Sequence, residues 1–203
     1  MTRRLFVATN NAGKLKEFRR LFGESLGLEI LSPSDLGITH DVVEDGVTFE
    51  ANATKKAREF AALTGLMTLA DDSGLEVDYL DGAPGVYSAR YADGKGDAAN
   101  NEKLLGAMQG VADEERTARF RCVLALVDHA GPMGDGVYLV PGVCEGRIAH
   151  EERGSEGFGY DPLFIPQGEA RMMAELTPAE KDARSHRAQA SQRMHTFLTK
   201  YLA

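Results

Sequence analysis

The sequence predicts a mixed α/β fold around a sheet that need not be all parallel. Short apolar runs with strand character alternate along the chain with segments whose apolar residues recur every three to four positions. Gly, Pro, Asn and Asp punctuate the joints between them. There is no internal repeat, low-complexity tract or Pro- or Ser-rich linker, so 203 residues fit one domain, or one domain in two lobes.

The elements follow in order. Residues 5–8 read as a short buried strand, and 9–14 as a polar turn. Residues 15–22 read as a helix with Leu15, Phe18, Leu21 and Phe22 on one stripe. Residues 28–31 form a second strand, closed by Ser32-Pro33-Ser34-Asp35. Thr48 caps a helix reaching about Leu63, with Phe49, Ala53, Ala57, Phe60 and Ala61 on its apolar face. Residues 67–70 read as a buried strand that runs into Asp71-Asp72-Ser73-Gly74, and Leu75, Val77 and Tyr79 then alternate as a further strand. A helix over 97–108, a strand over 118–127 and a strand region between Val137 and Ile148 follow. Residues 154–159 are glycine-rich. Thr177-Pro178-Ala179-Glu180 is a capping box with proline at the first helical position, opening a helical region interrupted near Ser185.

Composition narrows the class. Hydrophobic residues at 43% and charged residues at 27% exclude a disordered chain or a small disulfide scaffold. The longest apolar run, 122–127, is too short to span a bilayer, and the stretch 5–8 after Arg3-Arg4 is too short for a signal peptide. A cytoplasmic protein with Cys122 and Cys144 reduced and buried is therefore expected. The formal charge of −8 disfavours duplex nucleic acid. From residue 171 onward, however, six Lys/Arg face three acids, which suits one local polyanion site.

Five places could carry chemistry. Thr9, Asn10, Asn11, Ala12, Gly13 and Lys14 lie between a strand and a helix, where backbone N–H groups and the positive helix end favour phosphate; an ordinary cap with a surface lysine is the alternative. Asp71 and Asp72 end a buried strand, and with Glu44 they could hold Mg²⁺, which takes a few carboxylates plus phosphate oxygens; a D-S-G turn is the alternative. Phe158, Gly159, Tyr160 and Asp161 form a loop whose aromatic ring could stack on a base, or else tuck into the core. Lys181 and Ser185-His186-Arg187 offer donors to a base edge or phosphate, or form a solvated basic face. Lys55-Lys56 present one lysine inward or both to water. His40, His129, His150 and His195 show no metal-ligand spacing. No nucleophile stands out, so the chemistry is metal-assisted attack of water on phosphorus.

Taken together, the motifs resemble the inosine/xanthosine triphosphate pyrophosphatase family over nearly the whole chain. They run in that family's order: 9–14, Glu44-Asp45-Gly46 with Thr48-Phe49, 69–75, 82–91, 157–162, Ala174-Glu175-Leu176, then Lys181 and 185–187. The resemblance implies a long, bent mixed sheet with two α/β lobes in a single domain, 1–203, and the site in a central cleft. It implies hydrolysis of ITP, dITP and XTP to monophosphate and pyrophosphate by a homodimer using Mg²⁺, with no nucleic-acid or membrane partner. By position, 9–14 would hold the triphosphate. Glu44 and Asp72 would bind Mg²⁺ beside Asp71, and Asp72 would also be general base. Lys56 would stand near the phosphates and Ser73 would touch substrate. Phe158 to Asp161 would bind the base, and Lys181, His186 and Arg187 would recognise the purine. Residues 82–91 are a family hallmark with no chemical role assigned, expected to shape the cleft. A related pyrophosphatase of the Maf type is disfavoured by Ser185-His186-Arg187 and the Phe158 loop. A non-hydrolysing nucleotide sensor is disfavoured by the acids Glu44, Asp71 and Asp72.

Overall fold

The computed structural model describes residues 3–23 and 25–203. Six strands are present among them: β1 (Arg3–Val7), β2 (Leu28–Leu31), β3 (Thr68–Val77), β4 (Thr117–Val127), β5 (Val137–Ile148) and β6 (Phe164–Pro166). The helices are α1 (Ala12–Phe22), α2 (Phe49–Thr64), α3 (Asp97–Ala107), α4 (Pro178–Asp182) and α5 (His186–Tyr201). The strands form one mixed sheet in the order β2-β1-β3-β4-β5-β6. β1 pairs in parallel with both β2 and β3, and β5 pairs antiparallel with β6.

The chain folds as two compact units. The first comprises 1–72, 122–141 and 190–203, and the second 73–121 and 142–189. The cores match this division. Leu5, Val7, Phe18, Phe22, Leu69, Leu124, Met194 and Leu198 pack in the first unit. Leu75, Val77, Leu104, Met108, Phe120, Ile148, Leu163 and Phe164 pack in the second. Cys122 and Cys144 are buried free thiols, as expected. No helix of the described residues is long and apolar enough to cross a membrane.

Within the first unit the connections explain where a site can form. β1 leads through α1 to β2 on one side, and α2 then delivers β3 to its other side. The strand order therefore reverses at β1, and the carboxyl end of such a strand is where open α/β sheets bind ligands. α2 forms as expected: the Thr48 hydroxyl accepts from Ala51 N, and Gly65 closes the helix at φ 67°.

Two expectations need correction, and one strand was not foreseen. Asp71-Asp72-Ser73-Gly74 is no turn between strands: it lies inside the ten-residue β3, whose acids are buried rather than solvated. The alternation meant to carry the next strand to Tyr79 stops at Val77, and Asp78–Leu80 is a 3-10 turn that leaves Tyr79 exposed. β6, at three residues, is too short to leave a periodic signal.

Candidate active site

The first unit gathers the phosphate and acid candidates. The register pairs Val7 with Leu69, and Ala8 N donates to Leu69 O at 2.8 Å. Residues 9–11 thus leave β1 next to the stretch of β3 that carries Asp71 and Asp72. Asn11 caps α1, its side chain accepting from Lys14 N at 3.0 Å, and Thr9 Oγ1 accepts from Asn11 N at 3.2 Å. Two of the loop's N–H groups are therefore held inside the loop. Asn10 and Ala12 are exposed, and Gly13 is half-buried. Lys14 reaches back to β3, with Nζ 3.3 Å from Asp71 Oδ1.

α2 supplies the opposite wall. Lys56 is buried at 9% exposure; its Nζ donates to Glu44 Oε1 at 2.5 Å and to the Asp71 carbonyl at 2.7 Å, and lies 3.8 Å from Asp72 Oδ1. Lys55 instead faces outward and pairs with Asp45 at 2.7 Å. Of the two arrangements the sequence left open, the structure shows one lysine inward and one outward. One turn before Lys56, Asn52 is fully buried and its Oδ1 accepts from Gly46 N at 2.8 Å. The loop bearing Glu44 is thus gripped at two points by one helix.

Asp72 is 4% exposed, and its Oδ2 is buried with no hydrogen-bond partner among the described residues. Burial pushes its pKa up, and Glu44 adds to the rise, while Lys56, Lys14 and the Asn52 amide oppose it. Among the described residues no group of three His, Cys, Asp or Glu side chains is arranged to hold a metal. Mg²⁺ does not need one, because it is commonly bound by one or two carboxylates plus substrate phosphates. An orphaned buried carboxylate oxygen with Glu44 nearby fits that mode.

The second unit gathers the base candidates. Phe158 is half-buried, with Lys181 Nζ 4.8 Å and Arg187 Cζ 5.6 Å from its ring centroid, within cation–π range. Lys181 donates to Asp161 Oδ2 at 2.7 Å, and that oxygen also accepts from Phe158 N at 3.0 Å. Arg187, 2% exposed, donates to Ser73 Oγ at 3.0 Å. His186 stacks on Phe120 with centroids 4.9 Å apart. Ser185 serves a different purpose from the one its spacing to Lys181 suggests: its Oγ accepts from Ala188 N at 3.1 Å and caps α5. Tyr160 is buried and donates to Ser88 O at 2.8 Å, so of the loop's two rings only Phe158 stays accessible.

The profile of the Ham1 family matches residues 5–197. The chain belongs to the Ham1 family. This Ham1 chain is 53% identical over 188 residues to a dITP/XTP pyrophosphatase of Pseudomonas aeruginosa, with 92% of each chain covered. It is 47% identical over 193 residues to a dITP/XTP pyrophosphatase of Bacillus subtilis, with 95% of each covered. Its fold matches a HAM1 protein from Coxiella burnetii with a TM-score of 0.85 and 41% identity, over 98% of this chain and 99% of that one.

Several residues that shape the Ham1 site escape sequence reasoning. Gly159 is held at both backbone groups by α3: its N donates to Asp97 Oδ2 at 2.8 Å, and its O accepts from Asn101 Nδ2 at 3.2 Å. Ser88 gives residues 82–91 a role. Its Oγ accepts from Leu75 N at 2.9 Å and its carbonyl accepts from Tyr160, so the segment ties β3 to the base loop. The one available signal was position, since Asn101 falls four residues after Asp97 on a helix.

Gly157 has φ 81°, and a Cβ there would lie 2.0 Å from Asp161 Oδ2. Gly157→Ala is therefore expected to dislodge the carboxylate that holds Lys181 and Phe158. A stability loss of about 2 kcal/mol or more should follow, read by thermal melts.

Proposed function

We propose that this Ham1 protein is a nucleoside triphosphate pyrophosphatase that hydrolyses ITP, dITP and XTP to the monophosphate and pyrophosphate, with Mg²⁺ as cofactor. The observation that carries the reading is Asp72, a buried carboxylate with an unpartnered oxygen, facing Lys56 and Lys14. A carboxylate kept in so dry a setting is costly unless used. The names of the similar proteins point the same way.

The two units divide the substrate by chemistry, acting as one functional domain over 1–203. In the first, residues 9–14 and Lys56 oppose the triphosphate charge. Glu44 and Asp72 would hold Mg²⁺ together with phosphate oxygens, with Asp71 beside them; the ion would supply charge neutralisation and a more acidic water. Asp72 takes the proton from the water attacking the α-phosphorus. Lys14 and the loop N–H groups stabilise charge on the phosphate oxygens, and the β- and γ-phosphates leave together as pyrophosphate.

In the second unit, Phe158 stacks on the purine, Gly159, Tyr160 and Asp161 shape its pocket, and Ser73 contacts substrate. Lys181, Arg187 and His186 present donors to the base edge. Hypoxanthine and xanthine carry an oxygen at C6, which pairs with such donors. Adenine carries an amino group there, and a buried donor left unpaired costs about 1–3 kcal/mol, enough to reject ATP. Phe158→Ala is expected to raise KM for ITP about tenfold or more with a smaller change in kcat, because a stacked base contributes roughly 1–3 kcal/mol.

The reading also makes the protein a cytoplasmic homodimer engaging neither membrane nor nucleic acid; the formal charge of −8 supports the last point, and sedimentation analysis tests the dimer. The deciding experiment offers ITP, dITP, XTP, GTP, ATP and dTTP separately with Mg²⁺ and quantifies monophosphate and pyrophosphate. Pyrophosphate from the first three, with little from ATP and GTP and none in chelator, is expected. Orthophosphate as the first product would mean attack at the γ-phosphorus and overturn the mechanism. Tight ITP binding without turnover would identify a sensor.

A further inference from the structure

Asn52 is a neutral amide with no exposure at all, on a helix face that otherwise buries Phe49, Ala53, Lys56 and Ala57. Its oxygen has an evident job in accepting from Gly46 N at 2.8 Å, so close that a Cβ on Gly46 would lie 2.5 Å from that oxygen. Its nitrogen has none: Nδ2 is buried with no hydrogen-bond partner among the described residues. Asp72 Oδ2, an acceptor, is buried and equally without one. The two groups are close enough for the amide to favour the ionised carboxylate as a hydrogen-bond donor does, but the contact falls short of formed hydrogen-bond geometry. A buried donor left open costs about 1–3 kcal/mol. If the site needed only an anchor for the Glu44 loop, a serine or threonine hydroxyl would serve without that cost. A donor and an acceptor held apart in one dry site are instead complementary halves of a contact that forms when the site is loaded, directly or through one oxygen between them.

We propose that Asn52 is a positioning residue for the reaction: its oxygen fixes the Glu44 loop while its Nδ2 orients the Asp72 carboxylate in the loaded site. This rests on the pyrophosphatase reading above. Lys56, one turn later on α2, completes the arrangement by holding Glu44 at 2.5 Å and standing 3.8 Å from Asp72 Oδ1. One helix thus registers both acids from two consecutive turns. A misplacement of about 1 Å in such a group is worth roughly 100-fold in rate.

Two variants separate the functions of the amide. Asn52→Asp keeps the oxygen for Gly46 N and loses the donor; Asn52→Ala loses both. Each is assayed with dITP and Mg²⁺, and the metal-free proteins are melted alongside. The expected result is a kcat about 100-fold below wild type in both variants, with KM within about threefold. The melting temperature of metal-free Asn52→Ala should stay within about 3 °C of wild type, because removing the open donor offsets the lost loop bond. A loop anchor alone predicts that Asn52→Asp keeps its kcat, and that result overturns the proposal. So does an Asn52→Asp far slower than Asn52→Ala, which would mean charge repulsion, or a fall of more than about 8 °C in Asn52→Ala, which would mean a structural bond. Wild type that releases no pyrophosphate sinks the functional reading and this proposal with it. An active wild type with an active Asn52→Asp sinks this proposal alone.

Discussion

Asp72→Asn is expected to lower kcat for dITP by about 10³-fold or more and, in the metal-free protein at neutral pH, to raise the melting temperature by about 2–4 °C. The two effects share a cause. Asp72 is 4% exposed and burial is the largest influence on its pKa, raising it against the pull of Lys56 and Lys14. The native fold therefore binds this proton more tightly than the unfolded chain does. The stability that protonated Asp72 provides is complete below the ordinary carboxylate pKa and is lost as pH rises through the raised native value. At neutral pH the ionised form is a burden on the fold, and the amide removes it, by about 1 kcal/mol. The gap in melting temperature between variant and wild type should thus be widest near neutrality and close in acid. Lys56 keeps its bonds to Glu44 and to the Asp71 carbonyl in the variant, so the lysine is not stranded. A variant that melts below wild type at pH 7 would show that the lysines outweigh burial.

Arg116→Ala is expected to cost about 3–5 kcal/mol and lower the melting temperature by about 10 °C. Arg116 is 2% exposed, and its guanidinium donates to three carbonyls: Ile148 O at 2.8 Å, Met108 O at 2.8 Å and Ala149 O at 2.7 Å. Its own carbonyl accepts from Ile148 N at 2.9 Å. One planar fork thus closes the carboxyl end of α3 and the end of β5, which a lysine's point charge cannot reproduce. Arg116→Lys should recover less than half of the loss. Because β5 leads toward the loop that carries Phe158, KM for dITP should rise before kcat falls. Chemical denaturation and steady-state kinetics check both, and a melting temperature within about 2 °C of wild type would contradict this account of Arg116.

What the sequence made legible follows the strength of local signals. α2 was readable to within a residue because the Thr48 cap and the apolar spacing agree. The Thr177 capping box and the break near Ser185 were equally local, and α4 and α5 flank that break as expected. Asp71 to Gly74 misled because charged residues inside a strand look like a turn until burial is known. In the site, charged and aromatic candidates announced themselves by type, and the fold brings Lys56, Glu44 and Asp72 together. Asn52, Asn101, Ser88 and Arg116 did not. An amide, a hydroxyl or a lone arginine has the same spelling on a wet surface as in a dry one. Only the partner 6 to 72 residues away, such as Gly46 for Asn52 or Tyr160 for Ser88, reveals its work.

The way the first unit is stitched from three stretches of chain bears on its synthesis. Residues 9–14, Glu44, Lys56, Asp71 and Asp72 all lie within the first 72 positions, which leave the ribosome first. Yet the core beneath them also takes Leu124 and Leu126 from β4 and Met194 and Leu198 from α5. A nascent chain therefore carries the whole acidic and lysine set long before it can hold that set in place. On the proposed function, competence to handle a triphosphate awaits α5, whose Met194 and Leu198 complete that core. A polypeptide interrupted earlier lacks part of that core and leaves apolar surface open, as incompletely folded chains do.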